Sequence, residues 1–206
     1  MRSKSGTTLL FGGLLCLTAS FCLILWNFLE DRQASIMVEE ILPRIEKQME
    51  TENSKTYDDI TDDHETVSVQ SQLNNEMTEI DIDGYLYIGY ISIPSLGLEL
   101  PVMSSWSYPQ LKIAPCRYYG STKTRDLVIA AHNYSRHFGN IKSLNTGDSV
   151  YFTDIDEVVT VYQVAEIDTL GSNAVEEMTS SGYELTLFTC TYDGQSRVTV
   201  RCSVVE

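Results

Sequence analysis

A cysteine and an arginine lie on either side of a polar turn near the C-terminal end of the sequence. Cys190 ends a run of β-branched and apolar residues at 184–190, and Arg197 opens a second such run. The polar residues 193–196 between them predict two strands joined by a hairpin-like loop. Such a loop would place a thiol and a guanidinium side by side at one rim of a sheet. A nearby cation favours the reactive thiolate, and it can also stabilise an oxyanion on a carbonyl under attack.

A cysteine nucleophile of this kind needs a base, and the sequence contains three histidines. His64 lies in an acidic segment with little apolar patterning, and His137 lies in a polar loop. His132 directly follows a short apolar run with the pattern of a buried strand. Because a strand holds a base more rigidly than a loop does, we predict that His132 acts with Cys190 and Arg197.

The residues around this cysteine resemble the T-L-x-T-C signature of the sortases, the cysteine transpeptidases of Gram-positive bacterial surfaces. That signature is present as Thr-Leu-Phe-Thr-Cys at 186–190, and the positions of His132 and Arg197 fit the family as well. The sequence G-x-I-x-I-P at 89–94, followed by L-P-V, resembles the paired opening strands of a sortase barrel. The resemblance covers residues 88–206 and implies a closed eight-stranded β-barrel.

The resemblance also implies a reaction. Cys190 would cleave a C-terminal sorting signal, L-P-x-T-G or a relative, after its threonine and form a thioester on the enzyme. His132 would exchange protons with the departing and incoming amines, and Arg197 would donate hydrogen bonds to the carbonyl or oxyanion. Family analogy places Thr189 and the loop at 171–182 along the substrate groove. The acceptor would be an amine of a peptidoglycan precursor or, in pilus-building relatives, a lysine of another subunit.

Several features of the sequence indicate which class of sortase it resembles. The sequence shows no second membrane span after Arg197 and no aspartate–aromatic lid motif before the domain, which argues against pilus polymerisation. The loop at 171–182 is short for class B, whereas the helix expected before the domain and the T-L-x-T-C context fit that class. We expect a class B- or D-like sortase.

Two other functions remain open on the sequence. One is a different cysteine hydrolase or peptidoglycan transpeptidase, although the S-H-G-C type of motif would require a histidine just before Cys190, and none is there. The other is a membrane-tethered barrel that only binds a partner.

The N-terminal segment has the composition of a membrane anchor. Arg2 and Lys4, in a short tail at 1–6, precede an uncharged run at 7–29. A helix of that length, at about 1.5 Å per residue, spans a hydrocarbon core of about 30 Å. The run is longer than the apolar region of a cleavable signal peptide, which has about 7–15 residues. The basic flank predicts a cytoplasmic N-terminus and an extracellular catalytic domain.

A stalk is expected at 30–83, between the anchor and a catalytic domain at 84–206. Apolar residues at 37–45 recur with helical spacing, and Pro43 is expected to end or kink that helix. The acidic, polar composition of 50–83 predicts a flexible tether. The domain itself contains seven or eight short strands separated by turn signals, which predict a mainly all-β closed antiparallel barrel with short helices.

The charge argues against two classes of partner, and the number of cysteines bears on their oxidation state. The net charge is −15, and all 29 acidic residues lie beyond residue 29, which argues against nucleic acid or an anionic membrane surface as a partner. Three of the five cysteines lie outside the anchor, an odd number that requires at least one free thiol. Cys116 and Cys202 either form a disulfide or are both buried and reduced.

No metal ion or cofactor is predicted. The acidic residues Asp154, Asp156 and Glu157 lack the glycine and the distal glutamate of an EF-hand loop, so they indicate a hairpin turn instead. The histidines and Cys190 show neither H-E-x-x-H nor C-x-x-C spacing, which argues against a zinc site.

Overall fold

One long helix begins the computed structural model, which describes residues 4–59 and 76–205. Helix α1, Lys4–Asp59, contains Pro43 in its interior, so the expectation that a helix ends there is wrong. Ile41 and Ile45, on either side of the proline, are buried against the barrel. Burial of each isoleucine contributes about 1.5–3 kcal/mol, which offsets the cost of about 3 kcal/mol for an interior proline.

The first part of α1 has the properties expected of a membrane span. The segment Leu10–Leu29 has 20 residues with a mean hydropathy of 1.8, and none of it is buried in the protein. It is long and apolar enough to cross a bilayer, which is compatible with a membrane anchor.

Residues 76–205 form nine strands and two short helices. The strands are β1 Ile80–Ile82, β2 Tyr85–Ile93, β3 Leu98–Met103, β4 Cys116–Tyr119, β5 Leu127–Ala130, β6 Ser149–Asp154, β7 Val159–Gly171, β8 Leu185–Cys190 and β9 Ser196–Val204. The helices are α2 Tyr108–Leu111 and α3 Val175–Thr179, with single 3₁₀ turns at Pro94–Leu96 and Ile141–Ser143.

Strands β2 to β9 close into a ring. The order is β2-β3-β4-β5-β8-β9-β7-β6, and β6 pairs back onto β2. This confirms the predicted closed eight-stranded barrel, to which β1 adds a short ninth strand. The predicted antiparallel pairing is confirmed for the other pairs of the ring and is wrong for β3–β4 and β5–β8, which are parallel. A parallel pair needs a long crossover, and the chain between β5 and β8, which contains β6 and β7, provides one.

Strand β1 lies within the segment expected to form the flexible stalk. Ile80 and Ile82 are buried, whereas Asp81 between them is exposed, which is the alternation of a strand with one buried face. A tight turn at Asp83 and Gly84, both with positive φ, returns the chain into β2. Residues 60–75 of the expected tether, including His64, lie outside the described residues.

Two groups of apolar side chains form the interior. The larger group fills the barrel and includes Ile91, Phe152 and Leu187. The smaller group joins the outside of the barrel to α1 through Ile45 and also contains Cys116. Helix α1 therefore continues from the apolar segment directly into a face that packs on the barrel.

Candidate active site

Cys190 and Arg197 face each other across the β8–β9 hairpin. They are the last pair in the antiparallel register of the two strands. Directly opposed residues of such a pair have Cβ atoms about 4.5–5.5 Å apart on the same face of the sheet. Nη1 of Arg197 donates to the carbonyl oxygens of Gly194 at 3.2 Å and Ser196 at 3.0 Å. The guanidinium carries five N–H donors in all, and both of these bonds use the same nitrogen.

The end of β5 brings His132 to the same rim. Strands β5 and β8 run parallel, with Ala130 beside Phe188. The backbone N–H of Ala131 then donates to the carbonyl oxygen of Phe188 at 3.1 Å, so the strands stay together beyond β5. Continuing that register by two residues places His132 beside Cys190. The backbone thus carries the cysteine, the arginine and the histidine that the sequence singles out to the same rim, and their joint action stays a prediction.

The turn after His132 is tightly wound. Phe138 donates its backbone N–H to the carbonyl oxygen of His132 at 3.1 Å. A Cβ atom on Gly139 would lie 2.6 Å from the carbonyl oxygens of both Asn133 and Tyr134, a distance that side chains do not tolerate. The Tyr134 ring packs 4.8 Å from the His132 ring, centroid to centroid. This turn therefore fixes where the imidazole lies.

The His137 side chain packs against this turn and is not exposed to solvent. Its side chain is fully buried, and its ring lies 5.5 Å from that of Tyr134. Nothing in the sequence distinguishes Tyr134 from a loop tyrosine, because its role depends on the winding of the turn around it.

Thr189 links β8 to the residue that follows β5. It is buried, and its hydroxyl donates to the carbonyl oxygen of Ala131 at 2.8 Å. This bond holds β8 and β5 together directly beside His132. The contact of Thr189 with substrate stays a prediction.

A cavity of about 230 Å³ contains Cys190 and Arg197. We call it the thiol groove. One wall comes from α3 and the residues before it, and the other wall is aromatic. The lining side chains are Trp106, Tyr108, Leu111, Tyr118, Ala130, Ser172, Ala174, Val175, Met178, Phe188, Cys190 and Arg197, together with Gly171.

The aromatic wall is a set of rings that pack against one another. The Tyr118 ring meets the Phe188 ring edge to face at 5.2 Å, and Trp106 lies 5.5 Å from Tyr118 on the other side. Trp106 and Tyr118 come from a stretch with no regular pattern, so the sequence does not mark them as groove residues. A larger cavity of about 710 Å³ lies beyond these two rings, but Cys190 is not part of it. A third cavity of about 110 Å³ also borders Cys190, on the side of Asn133 and Tyr192. The 230 Å³ cavity is the candidate site because both Cys190 and Arg197 line it.

The other cysteines of the barrel domain are in a different environment from Cys190. Cys116 and Cys202 are fully buried, and all five cysteines of the chain, each within the described residues, are free thiols. Burial raises the pKa of Cys116 to about 12 and that of Cys202 to about 12. Both therefore stay protonated at neutral pH, and neither is available as a nucleophile. Cys190 lies half-buried at the rim.

The acidic residues at the end of β6 form the expected hairpin turn. The Asp154 carboxylate accepts the backbone N–H of Val158 at 2.9 Å, and burial raises the pKa of Asp154. Asp156 accepts a hydrogen bond from Thr78 at 3.0 Å. Within residues 4–59 and 76–205, no three His, Cys, Asp or Glu side chains are grouped so that they could hold a metal ion.

Sequence comparison places the barrel among known proteins. A family model described as a sortase domain matches residues 91–205, more than half of the chain. Sortase A of Bacillus anthracis is 32% identical over 121 residues, which cover 56% of this chain and 57% of that relative. The chain thus spans little more than half the length of this curated relative.

Solved sortase structures have a similar fold. Sortase C1 from Streptococcus suis is 26% identical, with a TM-score of 0.52 over 58% of this chain and 73% of that chain. A sortase D5 transpeptidase of Clostridium perfringens is 18% identical, with a TM-score of 0.59 over 82% of this chain and 99% of that chain. Structures of two classes are therefore similar, and the class B- or D-like assignment stays a prediction.

Proposed function

This chain belongs to the sortase family, and from that premise we propose that it is a membrane-anchored cysteine transpeptidase. Its substrates would be secreted proteins that carry a C-terminal sorting signal of the L-P-x-T-G type. The observation that carries the proposal is the pairing of Cys190 with Arg197 at the rim where β5 delivers His132.

In the first half of the reaction, a thioester forms. The Cys190 sulfur attacks the carbonyl carbon of the threonine, and the bond from that carbon to the next residue's nitrogen breaks. His132 gives the departing amine its proton. The sorting-signal remnant leaves as an amine, and the rest of the substrate stays on Cys190 as an acyl group.

In the second half, an amine takes the acyl group. The incoming amine attacks the thioester carbonyl, loses a proton to His132, and expels the Cys190 thiolate. A new amide bond forms, so no external energy source is required. A peptidoglycan precursor is the expected acceptor, and a lysine of another protein is the alternative. Water in place of the amine would give hydrolysis.

Arg197 would stabilise the charge that develops on the substrate oxygen. It lies opposite Cys190, and its described hydrogen bonds to backbone carbonyls hold the guanidinium at the end of the groove. An oxyanion next to the sulfur would then be within reach of the remaining N–H donors. Losing one such donor typically costs about 3–4 kcal/mol of activation free energy.

The walls of the thiol groove suit the apolar part of a sorting signal. Leucine and proline side chains gain by contact with aliphatic and aromatic surfaces. Val175 and Met178 on one side and Trp106 and Tyr118 on the other provide such surfaces next to Cys190. The groove would therefore orient the peptide so that its threonine carbonyl lies at the thiol.

The proposed location follows from the helix that begins the chain. The Leu10–Leu29 segment would anchor the protein, with the short basic tail in the cytoplasm and the barrel outside the cell. An external barrel would meet its substrates after their secretion. Substitution of the basic residues Arg2 and Lys4, followed by protease accessibility of the barrel on intact cells, tests this orientation.

The full-length chain in detergent micelles, incubated with labelled sorting peptides, tests the activity. We expect cleavage after threonine and, with an added amine, ligation of the label to that amine. Acceptors that carry an N-terminal glycine or a lysine side chain distinguish the two proposed nucleophiles. Cleavage of unrelated peptides would favour a general cysteine hydrolase, and inertness would favour a barrel that only binds. Cys190→Ala is the matched inactive control.

A further inference from the structure

Arg201 is a buried cation that the proposed chemistry does not use. It lies on β9 four residues beyond Arg197, and therefore on the same face of the strand. In the register with β8 it is opposite Thr186, and the residue is only 4% exposed. A charged group at this depth is costly unless hydrogen bonds compensate for the lost water.

The described hydrogen bonds of Arg201 all end on neutral oxygen atoms. Nη2 donates to the carbonyl oxygen of Glu177 at 2.6 Å. Nη1 donates to the carbonyl oxygen of Met178 at 3.3 Å and to the Thr186 hydroxyl at 3.0 Å. Carbonyls in the last turn of a helix have no partner within the helix, and Glu177 and Met178 belong to the last turn of α3. Arg201 thus satisfies the end of α3 and attaches it to the barrel.

Helix α3 forms one wall of the thiol groove. Ala174, Val175 and Met178 contribute the side chains. Apart from Met178, the side chains of 171–182 are exposed or only partly buried. A segment with so little buried apolar surface opens easily unless polar contacts hold it. The hydrogen bonds from Arg201 reach this segment where it borders the groove.

We propose that Arg201 is a positioning residue that holds α3 against the barrel and so keeps this wall of the groove in the shape that binds substrate. The proposal rests on the proposed function, since it assigns the groove to the sorting peptide. Arg201 lies deeper in the hairpin than the Cys190–Arg197 pair and does not act on the reacting atoms. Its loss therefore weakens peptide binding and leaves the reactivity of the thiol intact.

The test compares the full-length protein with its Arg201→Met and Arg201→Lys variants in detergent micelles. Methionine keeps an apolar stem but leaves two carbonyls without a donor. We expect Arg201→Met to raise KM for the sorting peptide about tenfold and to change kcat by less than about threefold. Amide hydrogen exchange across α3 should become faster, and alkylation of Cys190 by iodoacetamide should keep its rate.

The lysine variant and a second arginine serve as controls. Arg201→Lys keeps a donor that can reach one carbonyl, so its KM and α3 exchange should fall between those of wild type and Arg201→Met. Arg125 is exposed and pairs with Glu184 at 3.1 Å, away from the groove. We expect Arg125→Met to match wild type in KM and in α3 exchange.

Three results overturn the proposal. They are unchanged α3 exchange in Arg201→Met, unchanged KM in that variant, and a loss of kcat with a parallel loss of Cys190 alkylation. If Arg201→Met does not fold, Arg201→Lys decides alone: faster exchange confined to α3 supports the proposal, and uniform or unchanged exchange overturns it. Hydrogen exchange needs no peptide, so this result is independent of whether the wild-type protein cleaves sorting signals.

Discussion

Cys190 and Cys202 lie on the two strands of one hairpin, yet their environments are opposite. Cys190 is half-buried next to the connecting turn, opposite Arg197. Cys202 is paired with Leu185 at the end away from the turn, lies in the barrel core, is 0% exposed, and has a pKa raised by burial to about 12. The comparison shows that the strand face and the position along the strand, and not the residue type, decide whether a thiol is accessible.

The two arginines of β9 show the same contrast. Arg197 at the rim bonds the turn and lines the groove, whereas Arg201, on the same face but buried beneath α3, bonds the carbonyls of that helix. One strand therefore carries one cation at the rim, where the proposed chemistry would use it, and a second cation four residues later that bonds α3. Four predictions test this division between rim and interior.

The largest effect should come from Cys190→Ala, with Cys202→Ala as its control. Cys190→Ala removes the nucleophile and should lower kcat/KM for the sorting peptide by at least about 10⁴-fold. Cys202→Ala removes only a buried sulfur and should keep activity near wild type while lowering stability. Peptide-cleavage kinetics on the full-length variants measure both. If folded Cys202→Ala were as inactive as Cys190→Ala, the contrast between the two thiols would be lost.

Alkylation at pH 8 should be much faster at Cys190 than at the two buried thiols. A pKa of about 12 leaves very little thiolate on Cys116 and Cys202, and both are fully buried, whereas Cys190 is half-buried and lines a cavity. Peptide mapping after a short exposure to iodoacetamide should therefore find the label on Cys190 and not on the other two. Equal labelling of the three in the folded protein contradicts the assignment of the interior.

Loss of the rim arginine should have the next largest effect on turnover. Arg197→Gln should lower kcat by about 10²–10³-fold, because the oxyanion loses a charged donor. Arg125→Gln breaks only an exposed ion pair, which contributes about 1 kcal/mol or less to stability, and should leave kcat unchanged. Equal kcat values for the two variants would remove Arg197 from the site.

The smallest effect is a loss of stability at alkaline pH. Burial raises the pKa of Cys202, so above about pH 8.5 the unfolded chain loses a proton that the folded chain retains. The free energy of unfolding should therefore fall as pH rises from about 8.5 toward about 12, by at most about 1.4 kcal/mol per pH unit for this thiol. Denaturant titrations at several pH values give the slope of the free energy of unfolding against pH for wild type and for Cys202→Ala. The buried tyrosines are present in both proteins, so their contributions cancel in the difference between the two slopes. Parallel slopes would contradict the raised pKa.

Local patterns predict much of this molecule. The apolar runs and polar turns predict most barrel strands and the β8–β9 hairpin. The strand ends that carry His132 and Cys190 follow from the same patterns. Each of these features depends on neighbouring residues, which is why the sequence alone is informative.

Features that depend on distant residues are not visible in the same way. The parallel β5–β8 pair and the passage of α1 through Pro43 are set by packing against other elements. The role of Arg201 cannot be predicted from its neighbours on β9, because the carbonyl groups that it bonds come from α3. The aromatic wall with Trp106 is likewise assembled from separate segments.

Trapping the acyl-enzyme tests the central claim most directly. The full-length protein is incubated with a sorting peptide in the absence of an added amine, quenched in acid, and mapped by mass spectrometry. We predict an added mass equal to the peptide up to its threonine, on the fragment that contains Cys190 and released by hydroxylamine. Cleavage of the peptide without an adduct on Cys190, or an adduct on Cys116 or Cys202, would contradict the account.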